Sequence, residues 1–312
     1  MLIKYSVLSR TPFAWPTLML TGLAWVFTAF LSGQSANGAE KILTWAGCGI
    51  SKKAFMSEIA TAYEKKTGVK IDLKGGGATK GIRQVASGEV NIGGSCRDLI
   101  HTENGISPIP PERGVRMQPV AWDALVIIVH KNNPLSDISL EQVRQLYTGK
   151  ITNWSQLGGD NAPVELYIRK GKISGVGRSI RELVFQNFDQ EFVAKYIMPS
   201  SGPVEKGVAK NVNGIGISGF SSARKRDVKL LKVEGIEPSF AKIKDGGYML
   251  YRPLYLVTPM RAKKDKEVAK FVAYVRSEEG KAIIRNAGTV PFEDAIATWL
   301  KMLKKRQIAV GQ

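Results

Sequence analysis

Beyond residue 40 the chain alternates short apolar runs with segments whose apolar residues recur every three or four positions. Residues 42–46 read as a strand, and Phe55, Ile59, Ala62 and Tyr63 mark one face of a helix that stops at Thr67-Gly68. Residues 69–73 alternate apolar with polar as a second strand, Ile82 and Val85 continue a helix to Ser87-Gly88, and residues 90–93 form a third strand. A proline-rich stretch at 106–113 reads as an extended loop. The continuous apolar run at 124–130 suits a strand buried on both faces. Residues 136–149 form a helix with Ser139 as N-cap and Gly149 as stop. Residues 164–169, 213–220 and 252–258 are further strands, with helices near 179–188 and 266–275. Strands alternating with helices predict an α/β fold with parallel sheet, in which ligands gather at the loops leaving the carboxyl ends of the strands. Three such loops follow one another, at 47–51, 75–79 and 94–98.

The first 39 residues have a different character. Lys4 and Arg10 are their only charges, the apolar run 13–31 follows, and small residues lead up to Ala39. That layout predicts a secretory signal cut near Ala39, with an uncleaved membrane anchor as the alternative. Either way the body of the protein is expected in the periplasm or another extracytoplasmic space. The remainder is globular in composition, with 44% hydrophobic and 23% charged residues in a chain of 312. A net charge of +18 invites an anionic partner. Export, and the lack of a basic stripe interleaved with aromatics, argue against nucleic acid.

Longer motifs sharpen the fold. V-R-Q-L-Y-T-G-K-I-T-N-W-S-Q-L-G-G at 143–159 resembles the signature of the substrate-binding proteins of phosphate ABC transporters. N-G-I-G-I-S-G-F at 213–220, Y-R-P-L-Y-L-V-T at 251–258 and V-R-S-E-E-G-K-A-I-I-R-N-A-G-T-V-P-F at 275–292 are similar to the same family. The resemblance implies a two-lobed periplasmic binding protein of type II, each lobe a mainly parallel sheet flanked by helices, with two hinge crossings. It places residues 40–122 in lobe 1, 123–247 in lobe 2 and 248–304 back in lobe 1, with a polar tail at 305–312. It implies a monomer that binds an inorganic oxyanion, most simply phosphate, without catalysis or cofactor, and hands it to an ABC permease in the membrane.

A dehydrated oxyanion needs a dense set of fixed donors, which glycine turns feeding helix N-termini supply. Gly77 and Thr79 fit such a turn in the second loop, and Gly49 and Ser51 in the first. Arginine is the second requirement, because its fork binds oxyanions bidentately. Arg97 in S-C-R-D and Arg169 at the end of its strand match the family's pattern, with Ser174, Gly175 and Arg178 in the turn that follows Arg169. Asp98 reads either as an acceptor for a protonated oxyanion or as a salt-bridge partner or helix cap.

Cys48 and Cys96, the two cysteines of the chain, stand in G-C-G-I-S and S-C-R-D, where the family carries hydroxyl residues. Ile50 also replaces a hydroxyl, leaving Ser51 and Ser95 nearby. In an oxidising compartment the two thiols are expected to pair. The alternatives are a soft site for a thiophilic ligand such as arsenite or a metal ion, or unpaired packing. His101 and His130 are the two histidines, and no four-ligand metal set and no Ser-His-Asp arrangement is evident.

Overall fold

The computed structural model describes residues 41–310, apart from residue 104 and residues 262–264. The N-terminal segment read as a signal peptide or anchor lies outside the described residues. β1 (Ile42–Gly47) runs through the short α1 (Gly49–Ser51) and a π-helical turn (Lys52–Met56) into α2 (Ser57–Thr67), which ends on Gly68 in the left-handed conformation. β2 (Lys70–Lys74), α3 (Ala78–Ala86) and β3 (Ile92–Ser95) complete a parallel triplet in the order β2-β1-β3. The 16-residue β4 (Val115–His130) then leaves for the second half of the fold.

There β5 (Asp137–Ile138), α4 (Leu140–Tyr147), β6 (Glu165–Arg169), α5 (Gly175–Ile180), β7 (Tyr196–Met198), α6 (Ser201–Lys210) and β8 (Gly214–Gly219) follow. A second parallel triplet results, β7-β6-β8. After α7 (Phe220–Ala223), β9 (Val228–Leu230), β10 (Lys232–Val233) and α8 (Phe240–Lys244), the chain returns along β11 (Tyr251–Pro259). α9 (Lys266–Arg276), α10 (Glu278–Asn286), β12 (Val290–Pro291) and α11 (Ile296–Val310) close it. The expected mainly parallel sheets are thus two parallel triplets, joined by antiparallel crossing strands.

β4 makes the join. From Val115 to Ala124 it pairs antiparallel with β11, and from Leu125 to Val129 it pairs with β8 instead. The change of partner falls where Tyr251 opposes Ala124 and Leu250 accepts a backbone hydrogen bond of 2.9 Å from Leu125. The first part of β4 was not predicted as strand, because Arg116, Gln118 and Pro119 interrupt its apolar pattern. A register shift between Leu254 and Tyr255 leaves Val120 without a partner in the ladder, directly beside Pro119, which pairs with Tyr255.

Trp45, Phe55, Ile59, Ile82 and Trp122 are among the largest fully buried side chains, and burial of each contributes about 1.5–3 kcal/mol. Ser139 caps α4 as expected, its hydroxyl accepting from Gln142 N at 3.1 Å. The helix predicted near 179–188 starts earlier, at Gly175, because Ser174 caps it and its glycines pack closely. Residues 305–310, expected within a polar tail, continue α11, with no glycine or proline from Ile296 to Val310 to stop it. Among the described residues no helix is long and apolar enough to cross a membrane.

Candidate functional site

The three loops foreseen at the ends of β1, β2 and β3 lie together in the structure, and the start of α5 meets them from the other half. Cys48 N donates to Gly94 O at 2.9 Å and Gly77 N donates to Gly47 O at 3.0 Å, so backbone bonds tie the first loop to both of the others. Gly77 adopts φ 89°, a conformation that only glycine takes without strain, and caps α3. The leading N–H groups of α1, α3 and α5 have no intrahelical carbonyl to accept them, and of those in α5 Gly177 N is taken by the Ser174 hydroxyl. Gly49, Ala78 and Gly175 are the first residues of those helices.

Cys48 and Cys96 form a disulfide between the first and third loops. A Cβ at Gly175 would collide with Cys96 Sγ, and would lie 3.1 Å from Ala78 Cβ and 3.9 Å from Cys48 Sγ. The disulfide is therefore the surface on which the start of α5 rests, and only glycine leaves room for it. With both sulfurs bonded to each other, no thiolate is offered to a soft ligand in this state. The buried hydroxyl of Ser51 has no hydrogen-bond partner among the described residues.

The two arginines expected to hold the ligand occupy opposite situations. Arg169, at the end of β6, is 8% exposed, and the hydrogen bond shown for it is to Met198 O at 3.3 Å. No carboxylate lies within ion-pair distance of it among the described residues. Burial without such a partner pushes its guanidinium down to about 10. Its Nη2 lies 3.8 Å from where a Cβ at Gly77 would sit, so this cation of the second half faces the glycine turn of the first.

Arg97, by contrast, is fully engaged. Its two terminal nitrogens bond Glu112 at 3.0 and 2.6 Å, Nη1 also bonds Asp98 O at 2.7 Å, Nη2 bonds Thr79 Oγ1 at 3.0 Å, and Nε bonds Ile173 O at 2.9 Å. All five N–H donors are used, which leaves none for a ligand. In this structure Arg97 thus ties the third loop to Glu112, Thr79 and Ile173. Thr79 is similarly occupied, donating to Ile173 O at 2.6 Å.

Ser95 serves its own turn, its hydroxyl donating to Arg97 O at 2.6 Å, while Asp98 Oδ1 accepts from Leu99 N at 2.9 Å. Ser174 Oγ donates to Gly171 O and accepts from Gly177 N, which is a capping role. Arg178 stacks over the Phe188 ring at 3.9 Å. Gly49 has open space around it. His101 is exposed, and no group of three or more metal-ligating side chains occurs among the described residues.

Sequence reasoning missed Glu112, Asp123, Ser179 and Arg252. Glu112, fully buried in the proline-rich loop, is the partner of Arg97. Asp123 and Arg252 oppose one another where β4 and β11 cross. Burial raises the Asp123 carboxyl above its ordinary value, against the pull of Arg252. No local pattern marks a lone charged residue in a strand, and strand pairing alone reveals these two.

A family model of the PBP superfamily domain matches residues 36–279. A phosphate-binding protein PstS from Bacillus subtilis is 25% identical over 272 residues, covering 86% of this chain and 87% of that protein. One from Pseudomonas aeruginosa is 28% identical over 250 residues, covering 73% and 76%. Among solved structures, a Clostridium perfringens protein assigned as a phosphate ABC transporter substrate-binding protein, with bound phosphate, superposes with TM-score 0.72 at 29% identity, covering 80% of this chain and 99% of that one. An ABC-type phosphate transport receptor from Vibrio cholerae gives TM-score 0.61 at 25% identity, covering 80% and 100%.

Proposed function

The chain belongs to the PBP superfamily, and from that premise we propose that it is an extracytoplasmic solute-binding protein that captures inorganic phosphate between its two lobes and delivers it to an ABC permease. The observation that carries this reading is Arg169, a buried guanidinium without a carboxylate partner that faces the glycine turn opening α3. An isolated buried cation is costly, and an incoming oxyanion would supply the missing partner through charge-assisted hydrogen bonds. The N–H groups that begin α1, α3 and α5, and the Ser51 hydroxyl, are the remaining donors assigned to the ligand. The lobes, residues 40–122 with 248–304 and residues 123–247, would close about the two crossings at Ala124 and Tyr251.

No step of bond-making is required for this role, and neither histidine stands beside a nucleophile in the site. Asp98 is the acceptor assigned to a proton of hydrogen phosphate, which sulfate does not carry at neutral pH. The names of the relatives, phosphate-binding proteins in two bacteria, support the same ligand.

Calorimetry on the mature chain against phosphate, arsenate, sulfate and arsenite, with and without a dithiol reductant, tests the proposal. Tight phosphate binding in the oxidised protein, with sulfate at least about a hundredfold weaker, is the expected result. Binding of arsenite alone, and only after reduction, would transfer the site to a thiophilic ligand held by Cys48 and Cys96.

A further inference from the structure

Three buried polar side chains and one buried loop carbonyl form a connected group beside the site. Asp123 comes from β4, Arg252 from β11, Ser179 from α5, and the carbonyl of Cys96 from the third loop. Arg252 Nη1 donates to Cys96 O at 3.2 Å and to Ser179 Oγ at 2.9 Å. Ser179 Oγ in turn lies within hydrogen-bond distance of Cys96 O at 3.2 Å and of Gly175 O at 2.9 Å. Arg252 Nη2 lies 3.5 Å from Asp123 Oδ2, and Asp123 Oδ1 accepts from Ser221 N at 2.9 Å, at the start of α7.

We propose that Arg252, held by Asp123, is the positioning residue of the binding site: it joins the third loop of one lobe to α5 of the other and so sets the closed geometry. The inference rests on the reading of the site as an anion-binding cleft, although no ligand contact is assigned to Arg252 itself. Three observations converge on it. Asp123 and Arg252 are directly opposed in the ladder at the place where both strands pass between the lobes, so the guanidinium stem is fixed to the hinge. The same guanidinium group bonds the third loop and α5, so moving one lobe relative to the other strains a bond whose donor moves with neither. The peptide it holds belongs to Cys96, whose sulfur is the surface that Gly175 rests on.

A lysine could keep the charge, but its three donors radiate from one atom and do not reproduce the planar fork. Arg252→Lys should therefore retain the fold while loosening the link. Arg252→Met leaves Asp123 without its cation, so the double variant Asp123→Asn/Arg252→Met is the cleaner deletion. Ser179→Ala removes the α5 end of the link without touching any charge.

The experiment measures two things on each variant: amide hydrogen exchange in the ligand-free protein, and association and dissociation rates for inorganic phosphate. Exchange should rise about tenfold at 96–98 and 175–180 in Ser179→Ala and in the double variant, and remain near wild type elsewhere. Phosphate dissociation should rise about tenfold, with association within about twofold, and Arg252→Lys should fall between. Unchanged exchange and dissociation in folded variants would overturn the inference. So would exchange raised uniformly over the molecule, which marks a merely structural loss. Failure of the wild-type protein to bind phosphate would overturn the proposed function, while the exchange data would still decide the role of Arg252.

Discussion

Arg97 and Arg169 are two buried arginines of the proposed cleft that sit in opposite surroundings. Arg97 meets a fully buried carboxylate, Glu112, with both terminal nitrogens, whereas Arg169 meets a single carbonyl. Removing one member of a buried pair strands the other charge, so Arg97→Ala should cost about 3–5 kcal/mol of unfolding free energy. Arg169→Ala strands no carboxylate and relieves a desolvated cation, so stability should change by less than about 1 kcal/mol. Its phosphate affinity should fall by about 10- to 100-fold, the value of a hydrogen-bonded charge contact. Urea unfolding and phosphate calorimetry on both variants check the contrast. An Arg169 variant that unfolds as easily as the Arg97 variant, with affinity intact, would reverse the two roles. From sequence the two arginines looked alike, since each follows a strand. Their difference lies in Glu112, supplied by a loop whose prolines predicted only an extended path.

At the scale of elements, the proposed site is three helix starts: the disulfide ties the first loop to the third, a backbone bond ties the second loop to the first, and the start of α5 rests on the sulfurs. Strong periodicity made β1, α2, β2, α3 and the second part of β4 legible, and the glycine turns between them marked the loops of the proposed site. Mixed patterns hid the first part of β4, where a bulge at Val120 adjoins Pro119. Mixed patterns also hid α6, whose glycines and Pro203 weaken the helical signal; Pro203 falls in its first turn, where an N–H would have no intrahelical acceptor. The cysteine pair was legible as chemistry, two thiols in an oxidising space, but the contact of Cys96 with Gly175 was not, because it joins loops from different lobes. Cys48 and Cys96 close a loop of 48 residues, for which chain entropy gives a stabilisation of about 4 kcal/mol. The double variant Cys48→Ser/Cys96→Ser should lose that amount in urea unfolding and match the wild-type protein measured in a dithiol reductant. Equal stability of the oxidised and reduced wild-type protein would show that the bridge constrains nothing beyond what the backbone bonds among Gly47, Cys48, Gly77 and Gly94 already hold.

For the whole molecule, the question is whether the two halves respond to ligand as one body. Several contacts besides the crossing strands join them. Lys225 Nζ bonds Lys53 O at 2.6 Å and Arg224 Nη1 bonds Gly288 O at 3.2 Å, so the basic run at 224–226 reaches across to the other half. Within the first half Trp299 of α11 packs edge-on against Phe292 and tilted against Trp122, at ring distances of 5.4 and 6.2 Å, and α11 reaches the second half where Thr298 Oγ1 bonds Lys244 O at 2.8 Å and Lys301 Nζ bonds Asp245 O at 2.7 Å. With contacts on both sides of the cleft, opening one lobe by unfolding costs the other its partners, and a single cooperative transition is expected. Phosphate bound between the lobes then stabilises the entire fold. At a free concentration a thousandfold above the dissociation constant the gain is about 4 kcal/mol, which for a chain of this size raises the melting temperature on the order of 10 °C. Scanning calorimetry over a phosphate series should show one transition moving upward with the logarithm of concentration, while sulfate at the same ionic strength leaves it in place. Two transitions, of which phosphate moves one, would mean that the ligand belongs to a single lobe, and the cleft between the lobes would no longer be the place where it binds.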